Sequence, residues 1–294
     1  MSDKRKILIQ LDSDPQPSVF DRVVAIDAGA DEVFSYGEVQ PEQVRDLVHG
    51  AIFTRGPKDL KNTAVFVGGA DIAVGEQLLT AATKAMFKPF TVSAMLDSNG
   101  SNTTAVAAVA KMVQAAGGEM RGKRVLIVAG TGPVGIRAAG LFAKAGAEVC
   151  ITSRKADAGE RARELVVKRF GGTVRAITMP DATEAMRACE RAELLLNAGP
   201  AGVMLVPKRA WANRPGLKVV ADVNAVPPLG VEGVDLMDDG VNKEGVTCFG
   251  ALAIGNLKMK VHKACIARLF ERNDLVLDAE TIADVARELM APKP

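Results

Sequence analysis

Hydrophobic residues in this chain fall into short runs, separated by stretches in which they recur every three or four positions. KILIQL (6–11), TAVFVGG (63–69) and TVSAML (91–96) read as buried strands, and DEVFSYG (31–37) as a shorter one. Val19, Val23, Ile26 and Ala30 stand near helical spacing, and residues 41–53 and GEQLLTAATKAMF (75–87) also carry a helical pattern. The polar stretch DSNGSNTTA (97–105) is rich in cap-forming residues and opens a small-residue helix to about Ala116. A second series then begins, with strands predicted at 125–129, 147–152, 173–177, 193–197 and 217–222. LKMKVHKACIARLF, after CFGALAIGN, is helical. Asp278 caps a last helix whose Ile282, Val285, Ala286 and Leu289 share a face. Strands alternating with helices predict an α/β chain of two parallel-sheet domains with a cleft between them. A length of 294 residues suits two domains better than one core.

Composition narrows the partners. A net charge of +2 gives no footprint for nucleic acid, and few aromatics (1 Trp, 1 Tyr, 10 Phe) argue against a base-stacking platform for one. Cys150, Cys189, Cys248 and Cys265 are dispersed, as expected of reduced thiols in a cytoplasmic protein. With only His49 and His262, no multi-histidine metal site is expected. MSDKRKILIQLDSD turns polar too early for a signal peptide, and no apolar run is long enough to span a membrane.

The candidate chemistry starts at VLIVAGTGPVG (125–135). A G-x-G-x-x-G follows a predicted strand, opens a helix and sits in a β-α-β unit of about 30 residues, the arrangement of a Rossmann dinucleotide-binding domain. Gly130 is expected to allow the tight turn, Gly132 to admit a pyrophosphate and Gly135 to let helix pack on strand; Thr131, Pro133 and Val134 complete the loop. The helix N-terminus then offers amides and a positive dipole end to the phosphates. An NAD site usually has a carboxylate roughly 20 residues further on. Here AEVCIT ends in Ser153, Arg154 and Lys155, two cations and a hydroxyl that suit the 2′-phosphate of NADP.

PSVFD (17–21), FVGG (66–69), MLDSNGSNTTA (95–105), AGTGPVG (129–135), VADVNAVPPLG (220–230) and FGALAIGNLKMKVHKACIARLF (249–270) together resemble the bacterial NAD(P)-dependent methylene-tetrahydromethanopterin dehydrogenases. The likeness runs from near residue 5 to near residue 290, and the DSNGSNTTA and GALAIGNLK segments are its most specific parts. PSVFD and DSNGSNTTA are most similar to the NADP-specific type of methylotrophs, which also accepts methylene-tetrahydrofolate. AGPAG and DVNAVPP are similar to the type that uses both nicotinamides, so NAD stands beside NADP as a cofactor.

The resemblance implies one-carbon metabolism: hydride transfer from the methylene bridge of a reduced pterin carrier to NADP, giving the methenyl form, with no metal. It also implies a homo-oligomer and a pterin-binding domain, residues 1–102 with 259–294, beside an NADP-binding domain, residues 103–258. Lys258 in GNLKMK matches the family's candidate catalytic lysine, expected at the entry to a helix and in contact with substrate, with Lys260 as the fallback.

Hydride transfer needs alignment and water exclusion more than acid or base chemistry. Asp97, Ser98, Asn99 and Ser101 follow a strand end, where ligands of open α/β sheets gather, and the first three are candidate substrate contacts. Asp14 and Ser18, with Asp21, occupy the same kind of position in the first crossover, and a helix cap explains them as well. Asn197, Ala198 and Gly199 end AELLLNAG, and Asp222 and Asn224 end another strand; these five are candidate cofactor contacts. His262 and Cys265 read as packing residues. Two alternatives remain at this level: a shikimate-dehydrogenase-like NADP oxidoreductase, and a redox sensor that binds NADP without turnover.

Overall fold

The computed structural model describes residues 4–291. The chain divides into two compact units, Met1–Thr103 with Met259–Pro294, and Thr104–Lys258. In order, the elements of the first stretch are β1 (Ile7–Leu11), α1 (Val19–Asp27), β2 (Glu32–Tyr36), α2 (Val44–Phe53), β3 (Thr63–Val67), α3 (Ile72–Ala85), β4 (Ser93–Leu96) and α4 (Ser101–Ala115). There follow β5 (Arg124–Val128), α5 (Pro133–Lys144), β6 (Glu148–Ser153), α6 (Ala156–Phe170), β7 (Thr173–Thr178), α7 (Ala185–Ala188), β8 (Leu194–Asn197) and β9 (Val219–Asp222). The chain ends with β10 (Asp239–Lys243), β11 (Val246–Phe249), α8 (Ala251–Arg268), β12 (Val276–Leu277) and α9 (Ala279–Met290).

In the first unit the sheet order is β12-β4-β3-β1-β2, and every pairing is parallel. Numbered along the sheet this is 2-1-3-4-5, which reverses direction between β1 and β3; ligands of such sheets bind beyond the strand ends at that reversal. One face is closed by Leu11, Val44, Val48, Ile52, Leu60, Val65, Val67 and Leu78, all buried. That both faces of a parallel sheet are covered explains why β3 is buried at every position.

The second unit orders its strands β10-β11-β9-β8-β5-β6-β7. From β7 to β11 this is 3-2-1-4-5-6, with the reversal between β5 and β8, the dinucleotide-binding arrangement. A core around the fully buried Trp211 fills one face.

Three features depart from the sequence pattern. The second sheet is mixed rather than all parallel, because β10 pairs antiparallel to β11. The turn between them uses Glu244 and Gly245, both with positive φ (52° and 77°), the geometry of a two-residue hairpin. Secondly, Val19, Val23 and Ile26 do not face the core: they are 70%, 55% and 51% exposed, and α1 packs instead through Val24 and Ala25. Finally, ALAIGN belongs to α8, so Lys258 lies well inside a helix and not at its entry. In α9, Asp278 and Thr281 form a reciprocal capping box, and Ile282, Val285 and Ala286 are buried while Leu289 is exposed. Among the described residues no helix is long and apolar enough to cross a membrane.

Candidate functional site

In the second unit the three glycines of the loop have three separate reasons to be glycine. A Cβ on Gly130 would stand 2.7 Å from Cβ of Ile151, and one on Gly135 would stand 2.7 Å from Cα of Gly130. Both absences are therefore packing requirements between β5, α5 and β6. The tight turn itself is made by Ala129, whose φ is +54°, so the turn role expected of Gly130 falls on its neighbour. Gly132 is different. A Cβ there would come no closer than 3.8 Å to Ala129 O and 4.0 Å to Ala198 O. No described residue comes closer to that position, so the backbone there leaves a cradle with room that a side chain would occupy. Gly132 is also the N-cap of α5, with no side-chain cap bond and Pro133 in the first turn. The first amides of a 12-residue helix thus remain available beside the cradle. Thr131 and Val134 flank it half-buried.

At the end of β6, Ser153 is buried and its Oγ accepts from the Lys155 amide at 3.3 Å, which shapes the turn. Arg154 and Lys155 are exposed, and neither side chain forms an ion pair or hydrogen bond among the described residues. Two cations held next to the glycine loop without carboxylate partners suit a phosphate group. The fit to an NADP-type dinucleotide therefore rests on the empty cradle, the uncapped helix and these two cations.

Asn197, Asp222 and Asn224 are turned toward protein. Asn197 and Asp222 are register partners on β8 and β9, and Asn197 Nδ2 donates to Asp222 Oδ1 at 2.8 Å. Asp222 also accepts from the amides of Asn224 (3.0 Å) and Val231 (2.9 Å). Asn224 Oδ1 accepts from the Val226 amide, and its Nδ2 donates to Pro228 O. Burial raises the Asp222 carboxyl above its ordinary range, against the pull of these donors. The network fixes the strand-end turns; Ala198 and Gly199 are half-buried, and it is the Ala198 carbonyl that approaches Gly132.

In the first unit the strand ends carry a polar cluster centred on Asp12, which the sequence pattern did not single out. Its carboxylate accepts from the amides of Asp14 (2.9 Å) and Ser18 (3.2 Å) and from Gln10 Nε2 (3.5 Å). Burial is the largest influence on it and pushes its carboxyl up. An acidic residue directly after a buried strand at the first crossover was the available signal. Asp14 clamps the Ala70 amide, 3.1 Å from either oxygen, and Ser18 caps α1 through the Asp21 amide. Asp97 is also inward: it accepts from the Thr103 amide (3.0 Å) and hydroxyl (2.6 Å), and His262 Nδ1 lies 3.8 Å from its Oδ2. Ser98 is buried and donates to Gly68 O, while Ser101 donates to Ser98 O. Asn99 alone of the Asp97–Asn99 trio is exposed, held at φ +54° with its amide donating to Gly69 O at 2.7 Å. Asparagine tolerates this left-handed conformation better than most residues, which suits it to the turn.

Lys258 is half-buried in α8, whereas Lys260 is exposed. Burial pushes the thiols of Cys189 and Cys265 up to about 12, so neither is a ready nucleophile.

A sheet ordered 3-2-1-4-5-6 with an open glycine cradle and a cationic turn defines a dinucleotide-binding α/β protein. Comparison with known proteins takes this further. Residues 19–99 match the family described as methylene-tetrahydromethanopterin dehydrogenase, N-terminal. The chain is 49% identical to the bifunctional protein MdtA of Methylorubrum extorquens over 97% of this chain and 99% of that protein. It is 34% identical to the NAD(P)-dependent methylenetetrahydromethanopterin dehydrogenase of the same organism, again over 97% and 99%. The chain belongs to the methylene-tetrahydromethanopterin dehydrogenase family. Among solved structures it is similar to a shikimate 5-dehydrogenase from Listeria monocytogenes (TM-score 0.55, 14% identity, 98% and 96% of the two chains). A quinate dehydrogenase from Corynebacterium glutamicum gives a TM-score of 0.52 at 13% identity, over 97% and 100%. At these identities the likeness is one of fold.

Proposed function

We propose that this protein is a nicotinamide-dependent oxidoreductase that oxidises the methylene bridge of a reduced pterin one-carbon carrier, 5,10-methylene-tetrahydromethanopterin, to the methenyl form. The observation that carries the nucleotide half of the reading is the unfilled space above Gly132, set at an uncapped helix start with Arg154 and Lys155 unpaired nearby. The pterin half rests on family membership. The bound dinucleotide supplies a nicotinamide ring that accepts a hydride. The bridge carbon loses one C–H bond with both its electrons, and the resulting cation is delocalised over the flanking nitrogens, so no proton has to be stored on the enzyme.

The protein's work is then binding and alignment. Backbone around Gly132 and the first amides of α5 hold the pyrophosphate. Arg154 and Lys155 take the 2′-phosphate and favour NADP over NAD. In the first unit, Asn99 offers its side chain to the substrate, while Asp14, Ser18, Asp97 and Ser98 hold the loops in place. Lys258, half-buried where Lys260 is not, contacts and orients the substrate. We further propose that methylene-tetrahydrofolate is a second substrate, and that the enzyme is a cytoplasmic homo-oligomer.

The test is reduction of NADP and of NAD by the purified protein with methylene-tetrahydromethanopterin, methylene-tetrahydrofolate and shikimate in parallel. Turnover with the methylene carriers and none with shikimate is expected. Turnover with shikimate alone, or tight NADP binding without turnover of any carrier, overturns the reading.

A further inference from the structure

Helices normally cover a parallel sheet on both faces. In the second unit one face is covered unevenly. The helix on the crossover from β7 to β8, α7, is only 4 residues long, whereas α6 on the crossover before it has 15. On the α7 side Leu126 and Cys150 are still buried, but on the edge strand β7 Ile177 is only half-buried and Arg175 is exposed. Leu126, Cys150 and Arg175 are register partners across β5, β6 and β7, so their side chains share this face, as does Ile177 two positions on.

Where α7 falls short there are two adjoining hollows of about 290 and 560 Å³, together the size of a small-molecule site. Arg175, Ala188 and Arg191 line both of them. Leu126 and Cys150 give the first an apolar floor, which Ile177 continues into the second. Two arginines at the rim are already matched: Arg124 lies 3.3 Å from Glu193, and Arg187 lies 2.8 Å from Glu184. The side chains of Arg175 and Arg191 form no ion pair or hydrogen bond among the described residues. Of the remaining carboxylates, Glu148 lines only the first hollow and Glu190 only the second. The Arg175 charge is felt at the floor, where burial raises the Cys150 thiol above its ordinary value and Arg175 opposes the shift. Two permanent cations on one concave surface, with no carboxylate bonded to either, concentrate anions there. Neither residues 130–135 nor residues 153–155 line these hollows, so they are separate from the dinucleotide loop.

We infer that these hollows are a second ligand site, which takes a small organic anion. Its phosphate or carboxylate group lies between Arg175 and Arg191, and its apolar body lies on Leu126, Cys150 and Ile177. An inorganic ion would meet the cations and leave the floor uncovered; a neutral ring would cover the floor and leave the cations unmatched. Glu148 and Glu190, one at either end, disfavour further negative charge and so limit the ligand to a single anionic group. The site belongs to the second unit alone and does not depend on which carrier the enzyme oxidises.

The test is calorimetry on the full chain saturated with NADP, so that the glycine loop is occupied. The probes are 1-naphthyl phosphate, 1-naphthoate, 1-naphthol and inorganic phosphate. At least one of the two aromatic anions should bind, and the neutral ring and the inorganic ion should bind roughly tenfold more weakly or worse. The tighter of the two anions identifies the head group. Arg175→Ala and Arg191→Ala should each weaken that anion roughly tenfold or more, the scale of a lost charge-assisted hydrogen bond. Both side chains are exposed, so the melting temperature should stay near wild type. Arg45→Ala, which removes an exposed arginine on α2 of the first unit, should change nothing. Failure of both anions to bind, equal affinity for 1-naphthol, or an equal loss in Arg45→Ala overturns the site. Binding seen only in the absence of NADP assigns the probe to the glycine loop and overturns it too. A protein that binds no NADP overturns the nucleotide reading but not this site, which the same titration of the free chain then decides.

Discussion

The two sheets end in loops of opposite character. In the second unit the nucleotide loop is made of backbone: glycines, an uncapped helix start and almost no side chain. In the first unit the strand ends are dense with carboxylates, hydroxyls and amides, most of them bonded to one another. A pyrophosphate carries its own charge and many acceptors, so bare amides and a helix dipole are enough to bind it. The first unit has no such backbone cradle at its strand ends, and most of its polar side chains there hold the loops to one another. The difference teaches that an inventory of polar residues overstates direct contacts in the first unit and that an inventory of side chains understates them in the second.

The sharpest way to break this comparison is to add a side chain where backbone is proposed to bind. Gly132→Val should abolish NADP binding by calorimetry while leaving the melting temperature close to wild type, because the protein itself leaves room for a Cβ at that position. If Gly132→Val binds NADP normally, the cradle is not the phosphate site. Lys258→Ala comes next. A group that acts in the transition state predicts a fall in kcat of about a hundredfold with NADP affinity intact, and Lys260→Ala, at an exposed position, should be near wild type. A loss confined to Lys260→Ala would move the role to that residue. Arg154→Ala should weaken NADP roughly ten- to hundredfold and leave NAD almost unaffected, the range for a lost charge-assisted contact. Equal weakening of both nucleotides would show that the residue does not read the 2′-phosphate.

The smallest effect concerns the buried carboxylates that hold the turns. Burial raises the Asp222 carboxyl above its ordinary value of 3.8, so the folded protein binds this proton more tightly than the unfolded chain. Its contribution to stability is fully present below pH 3.8 and is lost as the pH rises through the folded pKa. In Asp222→Asn the pH dependence of unfolding over that window should flatten, above a constant offset from facing an amide toward hydrogen-bond donors. Identical slopes for variant and wild type in denaturant titrations would show that Asp222 does not titrate there.

How much of this could be read from the sequence follows from what each feature depends on. Strand–helix alternation and the glycine loop are local, and both are visible as periodicity and spacing. The β10–β11 hairpin is not, because Asp239–Lys243 is almost wholly exposed and has no apolar alternation to mark it. Gly255 reads as punctuation in GALAIGN, yet a Cβ there would meet nothing and the helix runs through it; Gly250 is the real boundary, since a Cβ would fall 1.9 Å from Asp235 O. Asn197 and Asp222 look like ligands because each ends a strand. Their bond to each other depends on the register of two strands 25 residues apart, which no local pattern encodes. The α1 face misleads for a related reason. Helical spacing identifies an apolar stripe, but it cannot say whether the stripe meets the core or is left outside.

The short strand β12 carries a consequence for how the chain comes into being. It lies at Val276–Leu277, yet it completes the sheet of the first unit by pairing with β4, and Asn273 and Leu275 bond back to Thr91 and Ser93 across 182 residues. During synthesis the strands between Arg124 and Phe249 all leave the ribosome before this last piece exists. The first unit, although it begins the chain, therefore cannot complete its sheet until the last strand has been made. The second unit can close while the first is still waiting, with one sheet edge open, for the tail of its own polypeptide.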